Sequence, residues 1–215
     1  YGCEAYFVDD MIPCVYGVKD EPLTGEFCVF DTETTGLDPG VEYLTEIGGV
    51  IVRNGEVVEE FDTFVKPGKP ITPKITELTG ITNEMVADAP GEKEALEAFL
   101  RFADGRILVA HNAHAFDIRF LKAAAKRSGI SFEPTYIDTL TMAQAMYPGL
   151  HNYKQGTINK HLELPSYEAH RACEDSAALG RIFCVMLSDL AEKEVTTVEG
   201  INTGLGGNRE VLKKK

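Results

Sequence analysis

Short apolar runs and longer amphipathic stretches alternate along the chain, and the change of period between them marks the elements. "EFCVF" (26–30) is a continuous apolar run that ends on Asp31 and Glu33, which reads as a buried strand over about 26–34 emerging at an edge. "EIGGVIVRNGEVVEEFDTFVKP" follows, two β-rich runs around Asn54-Gly55, the dipeptide best suited to a two-residue hairpin turn. The first three core strands are therefore expected to form an antiparallel meander. From Pro73 the period turns helical. "PKITELTG" begins with Pro just inside a helix start and stops on Gly80, and "GEKEALEAFLRFADG" is an amphipathic helix closed by Gly105. "RILVAHN" is a short buried strand, and "DIRFLKAAAKRSG" a helix with Phe120, Leu121 and Ala124 on one side and Gly129 as its stop. "TYIDTL" reads as a brief strand, followed by helical pieces around "TMAQAMYPG" and "KQGTINKHLEL". The last long helix is expected from about Arg171 to Lys193.

A meander followed by alternating helices and strands predicts an α/β domain with a mixed sheet, here over residues 24–194. Residues 1–23 read as an N-terminal extension. In it "EAYFVDDMIPCVYG" holds two β-prone runs broken by Asp9, Asp10 and Pro13, suited to a hairpin or to a strand lent to another domain. Residues 195–215, Gly-rich and then basic, read as a linker leaving the domain. A chain that begins with Tyr1 is expected to be a fragment of something longer. No apolar run approaches the roughly 18 residues that span a membrane, and Asp9, Asp10 and Lys19 interrupt any signal peptide. A cytoplasmic protein with no membrane partner is the expectation. The five cysteines show no C-x-x-C spacing, so reduced thiols are expected rather than a structural zinc site.

With 44% hydrophobic and 26% charged residues, the composition is that of an ordinary globular protein. The net charge of −13 speaks against a broad nucleic-acid-binding face, which is normally basic. It leaves room for an enzyme that takes one strand end into a cleft where cations supply the positive potential.

The chemistry gathers at three places. Asp31 and Glu33 lie two apart on a strand, so they share a face, and two like charges that close need a shared proton or a cation. Asp117 in "LVAHNAHAFDIRFL" sits past a strand at a helix start, and Asp175 in "EAHRACEDSAALG" sits in the first turns of the last helix. Either alone is explained by the preference of carboxylates for helix N-termini. Together they suit hard divalent cations such as Mg²⁺ or Mn²⁺, two of which, about 3.5–4 Å apart, clamp the attacking and leaving oxygens of a phosphoryl displacement. A base is then needed for the water, and His170 is a suitable residue type. On one helix His170 and Asp175 would stand roughly 140° apart, so the helix is expected to start just after His170, leaving the imidazole on a loop.

"VFDTETTGL", "LVAHNAHAFD" and "AHRACED", in this order, resemble the three exonuclease motifs of the DnaQ-like 3′–5′ exonucleases. The His-x4-Asp spacing marks the histidine (DEDDh) branch, and the resemblance covers roughly residues 25–190. The flanks resemble the junctions of the exonuclease domain in PolC-type replicative DNA polymerase III. The resemblance implies a ribonuclease H-like fold, a five-stranded mixed sheet flanked by helices. It implies that Asp31, Glu33, Asp117 and Asp175 bind two Mg²⁺ or Mn²⁺ ions and that His170 is the general base. Thr34, by its backbone, and Leu37, as a wedge, match positions that hold the 3′-terminal nucleotide, with Asn112 and Phe116 lining the same pocket. The implied activity is release of nucleoside 5′-monophosphates from a single-stranded or frayed DNA 3′ end. In a replicase this is proofreading, with the rest of the polymerase chain as partner and a nucleoid-associated replisome as location.

Two departures stand out. The family usually reads H-N-A-x-F-D, whereas H-N-A-H-A-F-D here carries one extra residue between His111 and Asp117, and His114 reads as a loop residue rather than a ligand. Gln155 stands where relatives commonly carry leucine, a difference expected to affect packing. RNA trimming by the same chemistry is the nearest alternative. A non-catalytic docking module is opposed by the five filled catalytic positions. A nucleotidyltransferase would leave the His-x4-Asp spacing unexplained.

Overall fold

The computed structural model describes residues 12–205. Its sheet is built from β1 (Val15–Tyr16), β2 (Glu26–Thr34), β3 (Leu44–Arg53), β4 (Glu56–Phe64), β5 (Ile107–Ala110) and β6 (Tyr136–Asp138), in the spatial order β1-β6-β5-β2-β3-β4. The expected meander is β2-β3-β4, antiparallel throughout, and its second turn is Asn54-Gly55, both at positive φ (53° and 74°) as a type I′ turn requires. β5 and β6 run parallel to β2, and β1 is antiparallel to β6. The helices are α1 (Pro73–Thr79), α2 (Asn83–Val86), α3 (Glu92–Ala103), α4 (Asp117–Ser128), α5 (Thr139–Met146), α6 (Gln155–His161), α7 (Ala172–Glu192) and α8 (Val198–Gly204).

Among the described residues the sheet has six strands where five were expected. The additional one, β1, comes from the N-terminal extension and pairs Val15 with Ile137 and Tyr16 with Tyr136, in this domain's own sheet. The pairing is tertiary, and a two-residue strand carries no period of its own. The part of the expected hairpin over residues 1–11 lies outside the described residues, as does the stretch 206–215 of the expected linker. Within 195–205, α8 buries Val198 and Ile201, and Leu23 N–H donates to Thr196 O while Val198 N–H donates to Glu21 O. The segments that enter and leave the core thus run side by side.

Both faces of β2 are covered, which is why its sequence is continuously apolar rather than alternating. Phe27 and Val29 pack with Ile182, Phe183 and Met186 of α7, while Cys28 and Phe30 pack with Leu96 and Phe99 of α3 and Phe120 and Leu121 of α4. Each such side chain contributes about 1.5–3 kcal/mol on burial. The same alternation carried beyond Phe30 points Asp31 and Glu33 toward α7 and Thr32 toward α4. Packing on two layers therefore decides which acid meets which helix.

Two glycines let α7 come close enough to matter. A Cβ on Gly48 would lie 2.2 Å from the backbone of Ala172, and one on Gly180 would lie 2.8 Å from Val50 Cγ2. α7 therefore rests directly on β3, and its first turn reaches the end of β2. No helix among the described residues is long and apolar enough to cross a membrane. Gly48→Ala is expected to push the first turn of α7 off the sheet and destabilise the chain by about 1–3 kcal/mol. Urea unfolding checks this, and an unchanged midpoint would show that α7 does not need the contact.

Candidate active site

The site lies where the parallel strands β2 and β5 end, the edge at which open α/β sheets bind ligands. Asp31 and Glu33 on β2 and Asp175 in the first turn of α7 each place a carboxylate oxygen within 4.8 Å of the others. Asp117 opens α4 and is 2% exposed. Its Oδ1 accepts from Thr32 N–H at 3.1 Å and Thr32 Oγ1–H at 2.7 Å, so it is fixed to the strand between Asp31 and Glu33. It is not among the acids whose carboxylate oxygens come within 4.8 Å of one another, and it stands beside them through Thr32.

Burial dominates the electrostatics, and crowding adds to it. Removal from water raises the Asp31 carboxyl well above its usual range, and the charges of Asp117, Glu33 and Asp175 raise it further. Glu33 is pushed up to about 8, by burial first, then by Asp175, Glu46 and Asp117. Asp117 is raised to about 7 by burial, against the lowering effect of its Thr32 hydrogen bond. Asp175 is raised by burial, with the His170 N–H opposing. Four acids that resist ionisation together are what a cation-binding donor set looks like without its cation.

The third segment is anchored by a residue that pattern reading passed over. Glu46, opposite Glu33 in the β2–β3 register, has a fully buried side chain. It accepts from Arg171 Nε at 3.0 Å, Arg171 Nη2 at 2.7 Å and Ala172 N–H at 2.8 Å, fixing the start of α7 to β3. Arg171 also lies over the Phe64 ring at 5.2 Å. Immediately before it, exposed His170 takes a left-handed backbone (φ 75°), and its N–H donates to Asp175 Oδ2 at 2.7 Å. The helix starts just after His170, as its spacing from Asp175 suggested. The imidazole is thus on the loop, next to the acids but facing solvent.

Gln155 has a larger part than packing. Its Nε2–H donates to the Asp175 carbonyl at 2.8 Å, and its side chain also bonds Tyr167, whose hydroxyl is held up to about 12 by burial and the nearby Asp175 and Asp31 charges. The remaining expected residues sit on the two loops that leave β2 and β5. Thr34 is 7% exposed, with Oγ1–H donating to Gly36 O at 2.6 Å, and Leu37 is 85% exposed. Exposed Asn112 has φ 62°, and half-buried Phe116 packs on Phe120 at 4.9 Å. His114 is not in the acid cluster; its ring stacks on Tyr16. A Glu inside the apolar run "LTEIGGVIV" was the visible signal for Glu46. Nothing local distinguished Thr32, Asp138 or Tyr167.

The donor set suits a hard divalent cation: all-oxygen, negatively charged, partly exposed and held by hydrogen bonds from outside. Asp31, Glu33 and Asp175 would hold it, with Asp117 adjoining.

Comparisons with known proteins place the chain in a family. The family model described as exonuclease (RNase_T) matches residues 28–183. A "DNA polymerase III PolC-type" of Caldanaerobacter subterraneus subsp. tengcongensis is 46% identical over 215 residues, 100% of this chain and 15% of the relative. The chain therefore spans a small part of the curated relatives it matches. Exonuclease X, solved in complex with 5′ overhanging duplex DNA, superposes with a TM-score of 0.65 at 25% identity, covering 84% of this chain and 99% of that one. The nuclease domain of 3′hExo, a DEDDh family member bound to rAMP, superposes with a TM-score of 0.67 at 21% identity, covering 77% and 93%, and shares the fold.

Two outcomes follow from the charges. The metal-free folded chain keeps the Asp117 and Glu33 carboxyls protonated up to about pH 7–8, whereas in the unfolded chain they titrate near about 4. Across that interval the folded state binds more protons, so stability falls as pH rises. The Tm of the metal-free chain is expected to drop between about pH 5 and pH 8, and a saturating divalent cation is expected to flatten the drop. A flat metal-free profile would contradict the burial and crowding of these acids. Arg171→Ala, which leaves Glu46 buried without its cation, is expected to destabilise by about 3 kcal/mol. This is the low end for a buried pair because the Arg171 side chain is 37% exposed. Chemical denaturation measures it, and a change under about 0.5 kcal/mol would remove the pair as the anchor of α7.

Proposed function

The chain belongs to the exonuclease family, and from that premise we propose that it hydrolyses DNA from the 3′ end, releasing nucleoside 5′-monophosphates as the proofreading domain of a replicative polymerase. The observation that carries this reading is the convergence of Asp31, Glu33 and Asp175 within 4.8 Å, with Asp117 fixed beside them. Bound at these carboxylates, Mg²⁺ or Mn²⁺ would polarise the scissile phosphate and stabilise the leaving oxygen.

The chain's own groups then have distinct work. His170 takes the proton of the attacking water, and its position next to Asp175 is set through its own N–H. Thr34 offers backbone to the terminal nucleotide directly after Glu33. Leu37 projects into solvent from a stiffened loop, suited to part the last base from its neighbour. The stiffening is specific. Thr35 Oγ1–H and Lys69 Nζ both donate to Glu42, while Arg127 Nη1 donates to Pro39 O at 3.0 Å and its guanidinium lies 4.7 Å from the Tyr43 ring centre. Asn112 and Phe116 line the other side from the β5 loop. The polymerase context is supported by the long relatives, which the chain matches over 14–15% of their length, and by the side-by-side course of its entering and leaving segments.

A 5′-labelled single strand incubated with Mg²⁺ tests the reading. Asp31→Ala and Asp175→Ala are each expected to lower kcat by about 10³-fold or more while leaving far-ultraviolet circular dichroism unchanged. Full activity in either variant would overturn it. His170→Ala is expected to lower kcat by about 10²- to 10⁴-fold and to abolish the acid limb of the pH–rate profile. A surviving limb would remove His170 from proton transfer. Matched DNA and RNA strands are expected to favour DNA, and faster release from RNA would transfer the same chemistry to RNA trimming.

A further inference from the structure

The extra residue in H-N-A-H-A-F-D has a place in the fold. Asn112 N–H donates to Asp138 Oδ1 and His114 N–H to Asp138 Oδ2, both at 3.1 Å, so one buried carboxylate spans the lengthened loop. Within it, Phe116 N–H donates to Asn112 O and Ile118 N–H to Ala113 O, joining the loop to the first turn of α4, where Asp117 stands. His114 is outside the acid group. The His114 ring stacks on Tyr16 with centroids 4.1 Å apart and planes within 9°, and its Nδ1 is 2.7 Å from the Tyr136 hydroxyl.

Tyr16 belongs to β1, and β1 is itself held. Asn202 of α8 accepts from Cys14 N–H at 2.8 Å and Val15 N–H at 3.0 Å, and donates to Val15 O at 3.1 Å. In turn Cys14 O accepts from Asp138 N–H at 2.8 Å. A continuous set of contacts therefore runs from Asn202 through Cys14 and Asp138 to the Asp117 loop, with a parallel branch from Tyr16 through His114.

We infer that Tyr16, His114 and Asn202 are positioning residues for Asp117, so that the entry strand β1 and the exit helix α8 help hold the fourth carboxylate of the site. This rests on the proposed cation-dependent nuclease reading and deepens it. Without β1 the longer loop would lose the ring contact that offsets its extra freedom. Asp117 would then keep its Thr32 bond but lose fixed support from its N-terminal side. Movement of the entering and leaving segments is thereby felt at the acids.

The test uses Mn²⁺ alone, titrated into the 215-residue chain at constant pH without DNA and followed by the electron paramagnetic resonance of free Mn²⁺. His114→Ala, Tyr16→Ala and Asn202→Ala are each expected to bind Mn²⁺ roughly tenfold more weakly than the parent chain. In turnover the half-saturating Mn²⁺ concentration should rise with them while KM for a single-stranded oligonucleotide stays unchanged. Tyr16→Phe, which keeps the stacked ring, should restore the parent value. Parent-like Mn²⁺ affinity in the variants, with only Tm lowered, would mean that these residues merely support the fold and would overturn the inference. If the two junction variants fail to fold, His114→Ala, whose ring is half-buried, decides alone. A parent chain that binds no Mn²⁺ would instead remove the metal centre itself, and this inference with it.

Discussion

Like-charged carboxylates brought together away from bulk water repel, and that repulsion is the constraint around which this molecule is organised. Asp31 and Glu33 share one face of β2, Asp175 comes down on them from α7, and Asp117 is fixed beside them through Thr32. Left to themselves these groups would spread apart or take up protons, and their raised pKa values record that tendency. They stay together because the layers on either side of β2 are well packed and because each acid is gripped from outside the cluster. Glu46 and Arg171 fix the start of α7, Gly48 lets that start lie on the sheet, and Asp138 spans the loop before Asp117. The core supplies the stability, and the site draws on it.

The protein is therefore a rigid frame for a strained charge arrangement. His170, at φ 75° and exposed, is the one catalytic candidate not enclosed by that frame. A base that must meet a water and then release its proton to solvent suits such a position. The helix start that follows it is tied down, by Gln155 reaching the Asp175 carbonyl and by Arg171 on Glu46.

Much of this was legible in the chain. The run "EFCVF" followed by two acids announced a buried strand with a charged end, Asn54-Gly55 announced the hairpin, and Gly80 and Gly129 marked helix ends. The five catalytic candidates were visible because their residue types and spacings are unusual. What was hidden depends on contacts between distant segments. β1 lies in a β-prone run, but its partner β6 is far away in sequence, so its place in this domain's own sheet could not be seen. The short α2 was missed because it has too few residues to show a period. Asp138 read as part of a brief strand, because its partners in the Asp117 loop and at Cys14 lie far away in sequence. Glu46 was half-visible, since an acid inside an apolar strand signals a buried partner without saying which. Gln155 read as a packing change because its bond to Asp175 exists only once α6 and α7 meet.

The central claim is that the clustered acids are held together in order to capture divalent cations. A crystal structure of the chain grown with Mn²⁺ and a nucleoside 5′-monophosphate, with anomalous scattering recorded for manganese, tests it most directly. The expected result is manganese density coordinated by Asp31, Glu33 and Asp175, with the nucleotide phosphate in contact. Manganese-free acids in such a crystal, with their carboxyls turned apart or paired through protons, would contradict the account.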